Sequence, residues 1–278
     1  MTDKKKSIIY VVCAYGFFWV SIALIGLLVL LMGDDAATFQ QTTLFRFLPA
    51  LAAWTPTLAL FVLFKKLYPG SSIKAFYKNA FRARLNIKLL LCVTAIQLAA
   101  FFGSVGIIAF MQDLSFRSLL DVSLPTLISG FLWTSIQGAT GEQSGWRGFL
   151  QPHLEKKHSV IKASVIVGLV WGFWHAPLWF ALFDFTGLAL VQFIVVYMVA
   201  ITMTAIVIGI CYNHCKNLFV PIWIHFMFNF AMTMYTGATL PMLTWLAVLY
   251  VLVAAGYIIW HFHKTPKCLT SPAKSSTI

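Results

Sequence analysis

The sequence predicts an all-α, polytopic membrane protein with about eight transmembrane helices. Its 278 residues are 60% hydrophobic and only 10% charged, whereas soluble domains carry about 25% charged residues. Apolar stretches recur along the chain, and about 20 helical residues suffice to cross a bilayer. Because no stretch is polar enough to form a separate soluble domain, we expect a single membrane domain over residues 1–278, with the lipid bilayer as its surroundings.

The apolar stretches can be placed in order along the chain. The spans run roughly 7–32, 47–67, 87–111, 123–150, 160–183, 186–212, 217–236 and 239–262. Each of them can cross a hydrocarbon core of about 30 Å at a helical rise of about 1.5 Å per residue. The fourth span is the least apolar, and it contains Glu142 and Arg147.

The connecting loops alternate in charge, and this alternation predicts the orientation. The net charge is +12. Lys and Arg concentrate before the first span, within 65–88, after the fourth span and in the tail, which carries Lys267 and Lys274. Since basic loops stay on the cytoplasmic side, we expect both termini in the cytoplasm. No basic groove with interleaved aromatic residues is visible, so nucleic acid is not an expected partner.

The basic segment 68–88 has two interpretations that the sequence leaves open. Its aromatic and basic residues recur at helical spacing, which is typical of a short amphipathic helix on the inner membrane face. An ordinary basic loop explains the same composition.

Four polar side chains fall inside segments that should be buried in lipid: Glu142, His175, His225 and Asn229. An ionisable residue at such a depth costs about 2.5–3.5 kcal/mol on insertion scales, so we expect the chain to use these groups. Counted from the nearest basic loop, Glu142, His175 and His225 lie at depths of roughly 15, 22 and 12 Å. Three separate spans can therefore direct these residues into one cavity.

Helical spacing adds two pairs to this set. His225 and Asn229 are four residues apart and share one helix face, and Trp171 and His175 do the same. A single histidine or asparagine in a membrane helix is more often an interhelical hydrogen-bonding residue than a catalyst. The shared depth of the whole set favours a common polar site.

Arg147 does not follow the same spacing. It lies five residues after Glu142, an offset of about 140° around the helix, so it need not face the cavity. It either orients nearby backbone or binds a carboxylate elsewhere, or its side chain extends toward the inner interface.

Two chemistries fit the polar set. Glu142, removed from water, can act as a general base with His175, while His225 and Asn229 donate hydrogen bonds to an oxyanion; this describes hydrolysis of a carbonyl by activated water. Alternatively, Glu142, His175 and His225 form a two-histidine, one-carboxylate set that would hold a divalent metal such as zinc. No H-E-x-x-H sequence is present, which weakens the metal interpretation.

Two non-hydrolytic functions also remain open. Buried glutamate and histidine residues form proton relays in transporters, although the paired broken helices of two transporter halves are not apparent. The chain could also be a non-catalytic membrane protein that binds a bacteriocin or another partner protein.

Three motifs in order resemble those of the CAAX prenyl protease and bacteriocin-processing family, also called CPBP or Abi. The family pattern is E-E-x-x-x-R, then F-x-x-x-H, then H-x-x-x-N, on separate membrane helices. This chain has EQSGWR at 142–147, WGFWH at 171–175 and HFMFN at 225–229. The similarity covers about residues 125–235, the expected catalytic core.

The resemblance implies an intramembrane endopeptidase that acts on a membrane-associated peptide or protein. In the family, the residues matching Glu142 and His175 activate water, those matching His225 and Asn229 hold the oxyanion, and the match to Arg147 is structural. Members are described as metalloproteases, and a metal-independent glutamate mechanism is also argued. The style of the motifs indicates a bacterial plasma membrane.

This chain departs from the family pattern at two positions. Gln143 stands where the family has a second glutamate, which removes one carboxylate and lowers the negative charge available to a metal. The same change is compatible with a weakened or non-catalytic member. Trp171 replaces the usual phenylalanine and keeps an aromatic wall beside the site.

Overall fold

The computed structural model describes residues 1–40 and 42–264. Within these residues every regular element is a helix, and the only extended pairing is an isolated bridge between Leu120 and Tyr235. The predicted all-α fold is therefore confirmed. The tail lysines Lys267 and Lys274, used above to predict orientation, lie outside the described residues.

The helices are numbered in chain order. They are α1 (Asp3–Leu31), α2 (Ala36–Gln40), α3 (Thr43–Ala52), α4 (Thr55–Val62), α5 (Phe64–Leu67), α6 (Ile73–Ala80), α7 (Ile87–Met111), α8 (Leu124–Ile136), α9 (Ala139–Gly145), α10 (Gln151–Glu155), α11 (Val160–Trp174), α12 (Ala176–Ala181), α13 (Gly187–Cys215), α14 (Phe219–Met232) and α15 (Thr239–Lys264). Short 3-10 turns cover Gly33–Asp35 and Phe116–Leu119, and a π-helical segment, Trp146–Leu150, joins α9 to α10.

Five apolar helical stretches are long enough to cross a membrane among the described residues. They are α1, α7, α13, α15 and the nearly continuous pair α11–α12, Val160–Ala181. The chain is accordingly an integral membrane protein. These five coincide closely with the predicted spans at 7–32, 87–111, 160–183, 186–212 and 239–262.

The other three predicted spans differ from the continuous helices expected. The 47–67 span is divided into α3, α4 and α5. Pro56, in the first turn of α4, has no amide hydrogen, which accounts for the break between α3 and α4, and a second break falls at Leu63. The 123–150 span is interrupted between Ile136 and Ala139, where Gly138 has a positive φ of 52°. The 217–236 span contains only the 14 residues of α14.

The segment 68–88 contains a short helix, α6, and its position on the inner membrane face stays a prediction. Ser72 caps α6 by accepting a hydrogen bond from the amide of Ala75 at 3.1 Å. Lys74 and Lys78 are exposed, while the Tyr77 hydroxyl donates to the Ser144 hydroxyl of α9 at 3.0 Å. This amphipathic helix is thus anchored to the segment that carries Glu142.

The centre of the fold is α13, which packs against α11 on one side and α15 on the other. Glycines bring α11 close to it: a methyl group at Gly168 would lie only 2.8 Å from Cα of Thr202. Small residues four apart allow such close helix contact in membranes, and Gly172 repeats the arrangement against Met198. Trp171 and His175 are therefore held on a firmly packed helix.

A second pair of small residues fixes α9. A methyl group at Gly141 would lie 3.0 Å from Cα of Trp54, and one at Gly145 would lie 2.7 Å from the carbonyl oxygen of Pro56. The backbone of α9 thus lies almost directly against α4. The Trp54 indole also donates to the carbonyl of Ile136 at 2.8 Å, which satisfies one of the carbonyls freed where α8 ends.

Candidate active site

A cavity of about 350 Å³ lies between α8, α9, α11, α13 and α14. Its walls are largely apolar and include Trp133, Leu178, Tyr197 and Leu243. The polar groups that line it include Glu142, His175, His225 and Asn229, together with the indole of Trp171. The structure therefore brings together, from three segments, the four residues that the sequence places at a shared depth.

Glu142 lies one turn after the helix break. Its amide donates to the carbonyl of Gly138 at 2.8 Å, which closes the first turn of α9. The carboxyl group is buried, with only 3% of the residue exposed, and its Oε2 accepts a hydrogen bond from the indole nitrogen of Trp171. One carboxyl oxygen is thus held by the protein, and Oε1 lies close to Gly138.

Trp171 lies beside both histidines of the site as well as Glu142 and Arg147. Its ring lies edge-to-face with His225 at a centroid distance of 4.8 Å and lies 6.0 Å from the ring of His175. The guanidinium carbon of Arg147 lies 4.5 Å from its ring centroid, within the range of a cation–π interaction. The sequence analysis interpreted Trp171 as an aromatic wall, which is incomplete because its indole also donates a hydrogen bond to Glu142.

His175 occupies the single-residue break between α11 and α12. Pro177, two residues later, lies in the first turn of α12 and prevents α11 from continuing unbroken. The Nδ1 atom of His175 lies 2.8 Å from the carbonyl oxygen of Trp171. A carbonyl oxygen can only accept, so Nδ1 carries the proton, and the neutral ring keeps Nε2 as an acceptor.

His225 lies between two side-chain amides. Its Nδ1 is 2.8 Å from Nε2 of Gln143, and its Nε2 is 3.1 Å from Nδ2 of Asn229. If Gln143 donates to Nδ1, the neutral ring carries its proton on Nε2. The Nε2–H of His225 and the amide hydrogens of Asn229 are then adjacent donors that cannot satisfy one another, so they require an external acceptor.

Arg147 is fully buried in the π-helical segment. Extension of its side chain toward the inner interface, one of the alternatives left open by the sequence, is therefore wrong. Arg147 does not line the cavity, as the helical offset from Glu142 predicts. Among the described residues none of its three guanidinium nitrogens has a hydrogen-bond partner, so its visible polar contact is with the Trp171 ring.

The geometry does not fit the zinc interpretation. Within 1–40 and 42–264, no three His, Cys, Asp or Glu side chains are grouped closely enough to hold a metal ion. Both ring nitrogens of His225 lie beside amides, and Nδ1 of His175 is bonded to a backbone carbonyl. Glu142, His175 and His225 thus share a cavity without forming a ligand set.

Sequence reasoning did not single out Gly138 or the helix-packing glycines. Gly138 lines the cavity, and a glycine following Gln137 inside a long apolar span is a signal of a helix break. The small residues four apart at Gly141 and Gly145, and at Gly168 and Gly172, could also have been read as close-packing sites. Tyr197, whose ring lies 5.8 Å from His175, carries no sequence signal that separates it from other aromatic residues in α13.

Comparisons with known proteins match this region of the chain. Residues 123–231 match the family described as type II CAAX prenyl endopeptidase Rce1-like. The chain is also 25% identical over 201 residues to CAAX prenyl protease 2 of Methanococcus maripaludis, an alignment that covers 70% of this chain and 73% of the relative. The resemblance inferred from the three motifs is thereby confirmed. Residues 123–231 of this chain are therefore similar to the CAAX prenyl endopeptidases, in agreement with the resemblance carried by the three motifs.

Proposed function

We propose that this protein is an intramembrane endopeptidase that hydrolyses a peptide bond with water activated by Glu142 and His175. One observation carries the proposal: a buried carboxyl group, held at one oxygen by Trp171, lines the same cavity as His175, His225 and Asn229. A general base, an acceptor and a pair of adjacent donors around one cavity are the parts that acyl hydrolysis requires.

In the proposed reaction, Glu142 removes a proton from a water molecule through Oε1, the oxygen that Trp171 leaves available. The Nε2 atom of His175, an acceptor in the neutral ring, orients the same water. The resulting hydroxide attacks the peptide carbonyl carbon, and the carbon–oxygen double bond becomes an oxyanion. Collapse of this intermediate breaks the carbon–nitrogen bond, and Glu142 returns its proton to the leaving amine.

The developing oxyanion is assigned to His225 and Asn229. Their donor nitrogens are 3.1 Å apart, close enough for both to reach one oxygen atom. Donors that are already oriented and buried stabilise such a charge by about 2.7–4 kcal/mol each in well-studied cases. Gln143 supports this assignment because its donation to Nδ1 leaves the proton of His225 on Nε2.

The membrane arrangement belongs to the same proposal. We propose eight crossings of the bilayer, with both termini in the cytoplasm. Five crossings are the long helical stretches, and the other three are α3–α5, α8–α10 and α14. The alternation of basic loops supports this orientation. The whole chain is proposed to form one domain in a bacterial plasma membrane, with its family-like core in residues 125–235.

The proposed substrate is a membrane-associated peptide or protein segment. The cavity is lined mainly by apolar side chains, which suits an apolar residue or lipid group next to the cleaved bond. The Methanococcus maripaludis relative is named a CAAX prenyl protease, so a prenylated peptide belongs in any substrate panel beside an unprenylated one.

The test measures cleavage of two fluorogenic peptides, one farnesylated and one unmodified, by the purified protein in detergent. We expect Glu142→Gln to lose at least about 100-fold in turnover, the lower end of the roughly 100- to 10,000-fold that general-base catalysis contributes. Glu155→Gln on α10 is the control, because Glu155 contacts Gln151, Asn213 and Lys216 and does not line the cavity. A Glu142→Ala protein as active as the parent would rule out the proposal.

Two further assays address the other functions that the sequence left open. Substrate or proton uptake into proteoliposomes that depends on Glu142 would support a transporter instead. Bacteriocin protection that persists without both His175 and His225 would support a non-catalytic interaction protein.

A further inference from the structure

A second cavity lies between α7 and α15, at the perimeter of the helix bundle. Its volume is about 420 Å³, and its lining, which includes Cys92, Leu252, Gly256, Tyr257 and Trp260, is almost entirely apolar. None of these residues lines the candidate active-site cavity. Cys92, Leu252 and Gly256 are exposed at the surface of the bundle, so this cavity, which we call the α7–α15 groove, opens toward the surrounding lipid.

The α7–α15 groove is open at Gly256. A Cβ atom built on Gly256 would meet no heavy atom within 4 Å, whereas one on Gly103 of α7 would lie 3.3 Å from the Leu249 side chain of α15. Close packing of the two helices therefore explains Gly103 but not Gly256. Since Gly256 lines the groove, a larger side chain at this position would take up part of its volume.

The groove extends to the end of the bundle where α7 begins and α15 ends. The Gln97 side chain of α7 donates to the Tyr250 hydroxyl of α15 at 3.1 Å. Because Leu89 precedes Gln97 and Trp260 follows Tyr250, while both Leu89 and Trp260 line the groove, the two helices run antiparallel. The first turn of α7 and the last turn of α15 therefore lie at the same end of the groove.

Basic side chains lie at this end of the groove. Lys88 is next to Leu89 in the first turn of α7, and Lys264 is the last residue of α15; both lysines are exposed. His214, in the last turn of α13, packs against the ring of Trp260 at a centroid distance of 4.3 Å. We call the set of Lys88, His214, His261 and Lys264 the basic rim.

The two histidines of the basic rim contact each other. Nδ1 of His261 lies 3.3 Å from Nε2 of His214, so one ring donates and the other accepts. Whichever ring donates, the pair keeps one further ring N–H that can donate to an anionic group. The charge of Lys264 also acts on His214, so the lysine and the histidine pair form one electrostatic cluster.

The surroundings of the basic rim carry further positive charge. The Asn217 side chain donates to the carbonyl of Ala83 at 2.6 Å, which holds the exposed Arg84 near the end of α13. Lys216 is partly offset by Glu155, whose Oε2 lies 3.9 Å from its Nζ. The field at this end of the groove thus favours an anionic ligand.

We infer that the α7–α15 groove and the basic rim form one binding site for an anionic phospholipid. An acyl chain of the lipid lies in the groove, and the headgroup phosphate accepts hydrogen bonds from the basic rim. Basic pockets between membrane helices bind anionic headgroups in this way. The site is separate from the active-site cavity, so the inference does not rest on the proposed hydrolysis.

Charge favours this occupant over two others. The tail, residues 265–278, contains Lys267 and Lys274 and no acidic residue, so it would add positive charge to the basic rim. A second copy of the chain, packed symmetrically on this face, would bring two basic rims together. A phospholipid supplies both an apolar chain and a negative charge.

The first test measures binding of phosphatidylglycerol and of phosphatidylcholine to the purified full chain in neutral detergent by native mass spectrometry. We expect the Kd for phosphatidylglycerol to be about 25-fold lower, because each lysine near the membrane surface contributes about 5-fold to binding of anionic lipid. Lys88→Gln combined with Lys264→Gln should remove this preference. Equal Kd values for the two lipids in the parent protein overturn the inference.

A matched double variant controls for the loss of charge. Lys74→Gln combined with Lys78→Gln removes two exposed lysines from α6, which does not line the groove, and should leave the Kd for phosphatidylglycerol unchanged. If both double variants weaken binding equally, the lipid responds to overall charge and the basic rim is not its site.

The second test separates the groove from the headgroup contacts. Gly256→Leu should raise the Kd for phosphatidylglycerol at least about 10-fold, the loss expected when about two methylene groups of the acyl chain are displaced. Gly16→Leu is the control, because it adds the same side chain to an exposed glycine of α1 whose Cβ would also meet no heavy atom within 4 Å. A Gly256→Leu protein that binds as tightly as the parent shows that no acyl chain lies in the groove.

Labelling of Cys92 with N-ethylmaleimide locates the lipid without any substitution, and the mass of the Cys92 peptide reports the rate. At a phosphatidylglycerol concentration about ten times its Kd, about one tenth of the protein has an empty groove, so labelling should slow about 10-fold. The same concentration of phosphatidylcholine should slow it less than about twofold. Equal labelling with and without phosphatidylglycerol overturns the inference, even if Gly256→Leu does not fold.

Discussion

The indole nitrogen of Trp171, in α11, donates a hydrogen bond to Oε2 of Glu142, in α9. The family motif has phenylalanine at this position, whose ring can pack in a similar way but has no hydrogen-bond donor. In this protein the aromatic wall and the carboxyl group are thus linked by a polar contact, which directs the other carboxyl oxygen toward Gly138 and the cavity.

We therefore expect Trp171→Phe to lower kcat while keeping the fold. A hydrogen bond to a charged group contributes about 1.5–3 kcal/mol, so turnover should fall about 10- to 100-fold. Trp179→Phe is the matched control, because Trp179 is also buried but its indole nitrogen has no hydrogen-bond partner among the described residues. The kcat for peptide cleavage and the thermal unfolding temperature are measured for both variants. Equal kcat values would show that the Trp171 donor plays no part in turnover.

Gln143 gives a second prediction, since it contacts Nδ1 of His225 at 2.8 Å. In Gln143→Glu an ionised carboxylate can only accept, so the proton of a neutral His225 moves to Nδ1 and Nε2 loses its donor hydrogen. Only a doubly protonated His225 would then donate to the oxyanion. We expect the activity of this variant to decline as the pH rises, because the imidazolium loses its second proton.

The parent protein provides the comparison for that pH profile. With Gln143 as a donor, the neutral ring already carries its proton on Nε2, so the parent should not show the same decline through this group. Gln143→Leu, which removes the contact entirely, should be about 10-fold less active. Superimposable profiles for the parent and Gln143→Glu would contradict the role assigned to this contact.

Close packing of α9 leads to a prediction about stability. A methyl group at Gly145 would collide with the Tyr10 hydroxyl and lie 2.7 Å from the carbonyl oxygen of Pro56. Because the second of these is backbone, Gly145→Ala should destabilise the protein by about 1–3 kcal/mol, as overpacked cores do. Gly16→Ala is the control: no heavy atom lies within 4 Å of its added methyl group, and alanine is the better helix former.

Thermal unfolding in detergent measures both glycine variants. The unfolding temperature should fall for Gly145→Ala and stay level or rise for Gly16→Ala. Adding Tyr10→Phe to Gly145→Ala should recover part of the loss, since it removes the hydroxyl and leaves Pro56 in place. A Gly145→Ala protein as stable as the parent would show that α9 and α4 can separate at little cost.

The sequence was sufficient for the features that depend on local pattern. Hydropathy located the five long helical stretches, since the length of a membrane helix is set by the bilayer. The common cavity of Glu142, His175 and His225 could be expected because the argument needs only the helical rise and the position of each residue within its span. The helical offset also left open that Arg147 lies away from the cavity, and the structure places it outside the cavity lining.

The sequence could not predict features that depend on contacts between distant segments of the chain. The partner of Gln143 is His225, 82 residues later, and the partner of Glu142 is Trp171; neither spacing lies on one helix. The helix break at Gly138 was missed because hydropathy averages over a window and does not register one glycine. The spans expected to be continuous over 47–67 and 123–150 are interrupted, the first near Pro56 and the second at Gly138.

The last prediction concerns metal dependence. Both ring nitrogens of His225 lie beside amides, and His175 offers only Nε2 once Nδ1 is bonded to the Trp171 carbonyl. Gln143 is neutral, so the site also lacks the second negative charge that would attract a divalent cation. We therefore expect peptide cleavage to continue at the parent rate after treatment with EDTA, in protein whose metal content is measured by elemental analysis. The contrary result is a loss of activity in EDTA that zinc restores, with about one equivalent of zinc in the untreated protein. It would mean that His225 leaves its amide contacts, and it would replace the glutamate-water mechanism with a metal-bound one.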